Sequence, residues 1–246
     1  MSALRCEKGD LAANLAAHLE VLAEARAAAC VLAVFPEMSL TGSVDPAHCP
    51  EQRVALDDPA VCALAAATAE LGVAAVFGIA EKTHDDKSFI TQAFAEQGSV
   101  QGMQRKRHLG EGEEAFAAAD QDAVFTVDGK RFAIAICAES HVDRPFAHAR
   151  AAGADLVCFS AAPGLDERRT TPEEWRAGWD WWFAAGLGDA QRHARERGLW
   201  IAIATQAGST IDEDFPGLAA LVSPRGEVVM QLPDWNPGNL VVDVPL

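Results

Sequence analysis

The amino-acid sequence predicts a layered α/β fold. Alanine-rich segments with leucines at helical intervals alternate with short apolar runs rich in valine, isoleucine and phenylalanine, and this alternation continues to the end of the 246-residue chain. Half of the residues are hydrophobic, which is enough for a sizeable core. Because the sequence contains no long linker, low-complexity tract or abrupt change of composition, we predict one domain over residues 1–246.

Local signals place the individual elements. Pro59 opens the second predicted helix and Gly72 follows its end, as is typical of helix termini. Asp128-Gly129 and the turn at 97–99 predict hairpins. The predicted helices cover residues 11–29, 59–71, 144–152 and 175–197. The predicted strands cover residues 31–35, 73–79, 88–96, 100–106, 124–127, 132–136, 156–160, 200–205, 218–222 and 228–232.

The charge balance argues against several classes of protein. With 20 Lys+Arg against 36 Asp+Glu the net charge is -16, and no basic stripe is present to attract a nucleic acid. No apolar run is long enough to span a bilayer, and charged residues interrupt the first ten positions, where a signal peptide would be apolar. The six cysteines form no C-x-x-C pair and are interpreted as reduced thiols, so we expect a cytoplasmic protein without nucleic-acid or membrane partners.

Several apolar runs end in polar groups, as in AVFPEMSL, AVFGIAEK, AIAICAES, VCFSAAPG and IAIATQAG. Because the carboxyl ends of strands in α/β sheets meet in a ligand-binding crevice, these endings predict a shared site. Burial at the sheet edge would raise the pKa of Glu37 and suit it to general-base chemistry; a surface glutamate is the alternative. Cys137 lies where a strand turns into a predicted helix, which favours a thiolate; a buried apolar cysteine is the alternative.

Three motifs occur in an order that is more specific than any one of them. VFPEMSLTG carries Glu37, QRKRHL carries Lys106 and IAICAES carries Cys137. By itself the basic run at 105–108 could be a solvated charged turn. Together the motifs resemble those of the Glu-Lys-Cys triad in the nitrilase superfamily of carbon-nitrogen hydrolases. Further similarity runs through GDLAANL, ARAAGADLV, GLAALVSPRGEVV and NLVVDV, so the resemblance covers nearly the whole chain.

The resemblance implies a four-layer α-β-β-α sandwich and a homodimer. It also implies hydrolysis of a small non-peptide carbon-nitrogen bond, in an amide or carbamoyl group rather than a nitrile, without cofactor or metal. Cys137 would attack the substrate carbon and form a thioester, with Glu37 as the base. Lys106 and the backbone N–H of Ala138 would hold the developing oxyanion.

The resemblance further implies a second glutamate in the loop after the lysine. In GEGEEAFAAAD the spacing favours Glu113, while Glu114 and Glu111 remain open and a solvated acidic loop is the alternative. Glu114 is also a candidate substrate contact. Arg168, with Arg169 beside it, could bind a substrate carboxylate through its guanidinium fork, although ordinary surface arginines would explain both.

The sequence departs from the family pattern in several places, among them Ser43 in place of the frequent aromatic after LTG and the absence of tyrosine. Ala138 and Glu139 stand where the family often has an aromatic and an acidic residue, which predicts a smaller pocket wall with Glu139 as a candidate substrate contact. The first strand is reduced to residues 2–6, which could weaken the sheet edge. These departures motivate an alternative class, a catalytically silent binding or scaffold protein.

Two further enzyme classes compete with this interpretation. A Cys-His hydrolase would pair Cys137 with His108, His141 or His148, but no glycine flanks the cysteine as in a nucleophile elbow. A zinc site would use His141, Asp143 and His148, whose spacing matches no strong ligand pattern.

The segment WRAGWDWW holds four of the six tryptophans. On a helix, Trp175, Trp179 and Trp182 would share one face. We interpret this face as a core stripe or a dimer interface. The alternative is that it closes over an apolar substrate.

Overall fold

The computed structural model describes residues 1–165 and 168–246. Its helices are α1 (Leu11–Ala27), α2 (Pro59–Leu71), α3 (Arg144–Ala151), α4 (Pro172–Trp182) and α5 (Gly188–Arg197). Its strands are β1 (Ser2–Ala3), β2 (Leu32–Val34), β3 (Ala74–Lys82), β4 (Ser88–Glu96), β5 (Ser99–Arg105), β6 (Val124–Val127), β7 (Lys130–Ile136), β8 (Leu156–Ala161), β9 (Trp200–Ser209), β10 (Asp214–Val222), β11 (Val228–Gln231) and β12 (Gly238–Asn239). Within the described ranges, none of the helices has the length and apolar character needed to cross a membrane.

The strands form two main sheets. One has six strands in the order β11-β10-β9-β8-β7-β6, and the other has four in the order β2-β3-β4-β5. Strands β7, β8 and β9 are parallel neighbours, and β2 is parallel to β3. The segments that follow β2 and β7 contain Glu37 and Cys137, whereas Lys106 follows β5, which is antiparallel to β4.

Three layers of buried apolar side chains separate four layers of secondary structure. The first lies between α1, α2 and the four-stranded sheet. The second fills the space between the two sheets, and the third lies between the six-stranded sheet and α3, α4 and α5. Large members of the three layers are, in turn, Leu22, Leu64 and Phe77; Phe94, Ile134 and Leu221; and Phe146, Phe159 and Trp182. The expected α-β-β-α sandwich is therefore confirmed.

The best-predicted boundaries have local causes. Asp58 caps α2 by accepting a hydrogen bond from the Ala60 N–H at 2.8 Å, and Gly72 ends the helix with φ 64°. In the β6–β7 hairpin, Asp128 and Gly129 both have positive φ (47° and 73°), as a two-residue type I′ turn requires. The capping residues of α2 and the turn dipeptide can therefore be recognised from the local sequence alone.

The predicted helix at 175–197 is wrong as a single helix. The first part begins earlier, at Pro172, because Thr171 and Glu174 form a reciprocal capping box at its N-terminus. It is then interrupted by a π-helical turn, Phe183–Leu187, that separates α4 from α5. Trp179 and Trp182 are buried in the layer beneath α4, which supports the core-stripe interpretation of the tryptophan face.

The short first strand is shorter than expected. Only Ser2 and Ala3 pair, and their partners are Asn239 and Gly238 of β12. Leu4 then makes an isolated parallel bridge to Gln206 on β9, which joins this small sheet to the edge of the site.

Candidate active site

Glu37 lies in the turn that follows β2 and is almost completely buried. Its Oε1 accepts a hydrogen bond from Lys106 Nζ at 2.8 Å, and its Oε2 accepts one from the Ala162 N–H at 2.9 Å. The Cys137 thiol is near enough to this carboxylate to lower its pKa. Burial raises the pKa of Glu37 and the nearby charge of Lys106 opposes that rise, with a net increase. The result is a carboxylate that accepts a proton more readily than an exposed one.

Lys106 follows β5 and has no exposed side-chain surface. Its ammonium lies between two carboxylates, 2.8 Å from Glu37 Oε1 and 2.5 Å from Glu113 Oε1. Burial by itself lowers the pKa of Lys106, but the nearby carboxylates of Glu37 and Glu113 outweigh it and raise the pKa above its usual value. Lys106 is therefore charged throughout the physiological pH range.

Cys137 is the first residue after β7 and begins a short 3-10 turn, Cys137–His141. Its φ of 42° is unusual for a residue other than glycine, and such strain often occurs at functional sites. Burial and the charge of Glu37 raise the pKa of its thiol, while Lys106 opposes the rise. The raised pKa runs against the expectation of a resting thiolate and favours a sulfur that keeps its proton until a base removes it.

The backbone N–H of Ala138 lies in the first turn of this 3-10 helix. N–H groups of a first turn have no acceptor within their own helix, so they can bind an anion. Gly110 lies next to both Ala138 and Glu113, because a Cβ on Gly110 would lie 3.4 Å from Ala138 Cβ and 3.6 Å from the Glu113 carboxylate. The predicted oxyanion donor and the loop glutamate thus border one small region.

The structure distinguishes the three loop glutamates. Glu113 bonds Lys106 through Oε1 and accepts the Gly110 N–H through Oε2 at 2.7 Å. Glu111 is exposed. Glu114 is also exposed and accepts a hydrogen bond from the Gly112 N–H at 3.2 Å. Of the three, Glu113 is the one that pairs with Lys106 beside Glu37. The structure does not bring Glu114 to the site.

Glu139 was predicted to contact substrate, and the structure corrects this. Its side chain is fully buried, and both oxygens accept hydrogen bonds from the protein. Oε1 accepts from the backbone N–H and Nε of Arg107 at 2.6 and 2.8 Å, and Oε2 accepts from Arg107 Nη2 at 2.5 Å and from the Ile136 N–H at 2.9 Å. Its physical role is to tie the Cys137 turn to the segment after Lys106.

Arg168 also has a partner within the protein. Its Nη1 lies 2.9 Å from the buried Asp214 Oδ1 and donates to the Thr210 carbonyl at 2.9 Å. The neighbouring Arg169 donates its backbone N–H to Asp214 Oδ2 at 2.5 Å. Because this carboxylate already neutralises Arg168, the expected role of Arg168 in binding a substrate carboxylate is not supported.

The structure does not support the Cys-His hydrolase or the zinc site. His141 pairs with Asp189 at 2.8 Å, His148 lies 4.0 Å from Asp122, and His108 is exposed. The charged groups that shift the pKa of Cys137 are instead Glu37, Lys106 and Glu113. The third zinc candidate, Asp143, pairs with Arg197. Over residues 1–165 and 168–246, no three His, Cys, Asp or Glu side chains are grouped to hold a metal ion.

Sequence reasoning grouped the segments that hold the Glu37 turn with the shared site, but it assigned no role to their residues. Ser160 Oγ donates to the Phe35 carbonyl at 2.8 Å, and Gln206 Nε2 donates to the Glu37 carbonyl at 2.8 Å. Gly78 on β3 also matters, since a Cβ there would lie 2.2 Å from the Met38 nitrogen. Polar residues within otherwise apolar strands were the available signal.

The comparison with protein families agrees with the motifs. The family model described as carbon-nitrogen hydrolase matches residues 3–246. The chain belongs to the carbon-nitrogen hydrolase family, as its resemblance to the nitrilase superfamily predicted, and it is an enzyme of that class. No curated protein sequence matches it significantly.

Solved structures with the same fold come from an amidase of Nesterenkonia sp. AN1. A variant of it with acrylamide added at the active-site cysteine is 24% identical over 99% of this chain and 91% of its own, with a TM-score of 0.84. The NitN amidase after removal of its His-tag is 25% identical, with the same coverage and TM-score. A variant in complex with butyramide is 24% identical over 99% and 89% of the two chains, with a TM-score of 0.85.

Proposed function

We propose that this enzyme hydrolyses small aliphatic amides through a thioester on Cys137, with Glu37, Lys106 and Cys137 as its catalytic triad. The observation that carries the proposal is the position of the buried Lys106 ammonium between the carboxylates of Glu37 and Glu113, with Cys137 near enough for Glu37 and Lys106 to shift the pKa of its thiol. A buried base beside a protonated nucleophile is the arrangement that acyl transfer needs.

In the first half-reaction the thiol must lose its proton as it attacks. Cys137 Sγ bonds to the amide carbon while Glu37 takes the thiol proton, and the carbonyl oxygen becomes an oxyanion. The oxyanion then collapses, the carbon-nitrogen bond breaks, and Glu37 passes the proton to the departing nitrogen. Ammonia leaves, and the acyl group remains on Cys137 as a thioester. The raised pKa of Glu37 suits it to both the acceptance and the return of this proton.

In the second half-reaction water replaces the amide nitrogen. Glu37 removes a proton from water as the water oxygen attacks the thioester carbon. The carbon-sulfur bond then breaks, the proton returns to Cys137 Sγ, and a carboxylic acid leaves. The same carboxylate thus serves both steps, and no other proton carrier is needed.

Lys106 is suited to stabilise the oxyanion. An ammonium has three N–H donors, and Glu37 and Glu113 take two of them. The third, together with the Ala138 N–H, is free to bind the oxygen on which negative charge develops. Glu113 fixes the direction of this third donor, which is the role we propose for it.

The proposed substrate class is taken from the ligands of the related amidase. Acrylamide adds to its active-site cysteine and butyramide binds its cysteine variant, so short neutral amides are the first substrates to test here. Carbamoyl compounds and nitriles are the other members of the expected substrate range. The reaction is followed as ammonia release from butyramide, a carbamoyl compound and a nitrile at equal concentrations, and we expect butyramide to be fastest.

Cys137→Ala and Glu37→Gln provide the controls. Cys137→Ala should abolish ammonia release and Glu37→Gln should slow it about 10³-fold, while thermal unfolding shows an intact fold. A well-folded wild-type protein that releases no ammonia from any member of the panel would contradict the proposal. It would instead favour the silent binding protein, which is the second candidate class.

We further infer that residues 1–246 form one catalytic domain that functions in the cytoplasm as a homodimer, without nucleic-acid or membrane partners. The net charge of -16 supports the exclusion of nucleic acids, and the six free cysteines agree with a reducing compartment. Light scattering after gel filtration tests the assembly. A mass twice that of the chain is expected, and a monomer at all concentrations would contradict it.

A further inference from the structure

The main chain that leads into Glu37 is held by glutamines from both sheets. Gln92 on β4 donates its Nε2 to the carbonyls of Phe35 and Pro36, each at 3.3 Å. Gln206 on β9 donates its Nε2 to the carbonyl of Glu37 at 2.8 Å. Because β4 and β9 belong to opposite sheets, these bonds fix the turn relative to both.

The glutamine nitrogens, and not their oxygens, do this. A backbone carbonyl can only accept a hydrogen bond, so the amide atom that faces it must be the nitrogen. The Oε1 atoms of Gln92 and Gln206 are buried and have no hydrogen-bond partner among the residues that the structure describes. An apolar side chain of similar length would fill the same space without burying an oxygen, so what the two glutamines add is their donors.

The carboxylate of Glu37 must meet three groups at once. These are Lys106 after the four-stranded sheet, and the Ala162 N–H and Cys137 thiol after the six-stranded sheet. Catalysis is sensitive to such placement, since a shift of about 1 Å can cost about 100-fold in rate. A turn anchored to both sheets keeps all three contacts within reach.

We propose that Gln92 and Gln206 are positioning residues that hold Glu37 in place to take the Cys137 proton. Gln206 carries the greater share, because its bond is shorter and ends on Glu37 itself. It also donates to Ser43 Oγ at 3.1 Å, so its own amide is fixed by two acceptors. The inference rests on the proposed function, because the position of Glu37 matters only if Glu37 is the base.

The test measures how fast iodoacetamide alkylates Cys137, which requires no substrate. Gln206→Met removes both donors and keeps the side-chain length. The matched control is Gln191→Met, since Gln191 Nε2 donates to the Gly226 carbonyl at the same 2.8 Å, in the distant β10–β11 turn. We expect at least a tenfold slower alkylation for Gln206→Met, a smaller loss for Gln92→Met, and less than a twofold change for Gln191→Met.

A steady-state measurement separates positioning from a general loss of stability. With butyramide, Gln206→Met should lower kcat at least tenfold and leave KM within twofold. The acid limb of its kcat/KM profile should move to higher pH, because Glu37 loses part of the Lys106 charge that lowers its pKa. If Gln206→Met does not fold, Gln206→Asn is measured in its place. It keeps a buried amide but is shorter by one carbon, about 1.5 Å.

The outcomes distinguish the two proposals. If Glu37→Gln slows alkylation and Gln206→Met does not, the positioning inference is overturned and the proposed function stands. If Glu37→Gln leaves alkylation unchanged, Glu37 is not the base, and both proposals are overturned. If amides are not hydrolysed but alkylation falls in both variants, the substrate class is wrong and the positioning inference is supported.

Discussion

Two neighbouring residues, Lys106 and Arg107, build two buried clusters of the same formal composition. Each is one cation between two carboxylates: Lys106 with Glu37 and Glu113, and Arg107 with Glu139 and Asp122. The two side chains leave the same stretch of chain, and each has 4% or less of its surface exposed. Differences between the clusters therefore cannot be attributed to charge count or depth.

The clusters differ in how completely their hydrogen bonds are satisfied. The planar guanidinium of Arg107 is bound by Glu139, Asp122 and the Ile134 carbonyl, and it lowers the pKa of Asp122 against the effect of burial. In the Lys106 cluster the pKa of Glu37 is raised, and a protonated thiol lies beside it. The arginine cluster is a static clamp, whereas the proposed mechanism uses one donor and one base of the lysine cluster for chemistry.

The largest effect is expected in the lysine cluster. Glu37→Gln keeps the side-chain volume and removes the base, so kcat/KM for butyramide should fall about 10³-fold. The rate is measured as ammonia release, with circular dichroism as the test of folding. An activity within tenfold of wild type would contradict the contrast between the two clusters.

The next effect is on stability and belongs to the arginine cluster. Glu139→Gln leaves the buried Arg107 without its bidentate partner and should lower the free energy of unfolding by about 3–5 kcal/mol. Urea titration measures the loss. The matched control is Glu227→Gln, which breaks the exposed pair between Arg225 and Glu227 and should leave the urea midpoint unchanged. Equal effects of the two substitutions would refute the clamp.

Glu113 and Glu114 lie in one loop, and substituting each in turn separates a residue that holds Lys106 from an exposed neighbour. Glu113→Gln weakens the hold on Lys106 and should lower kcat about 100-fold, as expected when an oxyanion donor is misplaced. Glu114→Gln should leave kcat unchanged, because Glu114 is exposed and contacts the Gly112 N–H. Parallel kinetics of the two variants measure the difference. Equal losses in both would remove the assignment of Glu113.

The smallest effect is a shift in pH dependence. If Glu37 is the base, as proposed, its protonated form is inactive, so the acid limb of kcat/KM should report a pKa above the usual carboxyl value. The negative charge of Glu113 contributes to that rise. In Glu113→Gln the pKa of Glu37 should fall, and the acid limb should move to lower pH. A limb that stays in place, measured on the residual activity, would show that the two carboxylates are not coupled.

The sequence predicted those features that depend on local signals. Asp58, Pro59 and Gly72 fix both ends of α2 through capping and a positive φ, and none of these needs a distant contact. The π-helical turn has no such signal. Gly186 packs there against Trp182, at a distance that leaves no room for a Cβ, and that fit exists only in the folded helix.

The same distinction applies to the site. Glu37, Lys106 and Cys137 each lie in a motif that can be recognised in one dimension, and the fold brings them together. Glu139 was misread because its proximity to Cys137 in sequence suggested a substrate contact, whereas the 3-10 turn directs its carboxylate back to Arg107 and the Ile136 N–H. Gln206 lies in IAIATQAG, one of the polar strand endings, but the pattern gave it no role, since its partner is a main-chain carbonyl 169 residues away.

The central claim is that Cys137 carries the acyl group and that Glu37 enables its transfer. The direct test is to quench a reaction with butyramide in acid, digest the protein, and locate any butyryl group among the six cysteines by mass spectrometry. We predict a butyryl thioester on Cys137 in the wild type, and none on any cysteine in Glu37→Gln. A butyryl group on another cysteine, or equal labelling of Cys137 in Glu37→Gln, would contradict the account.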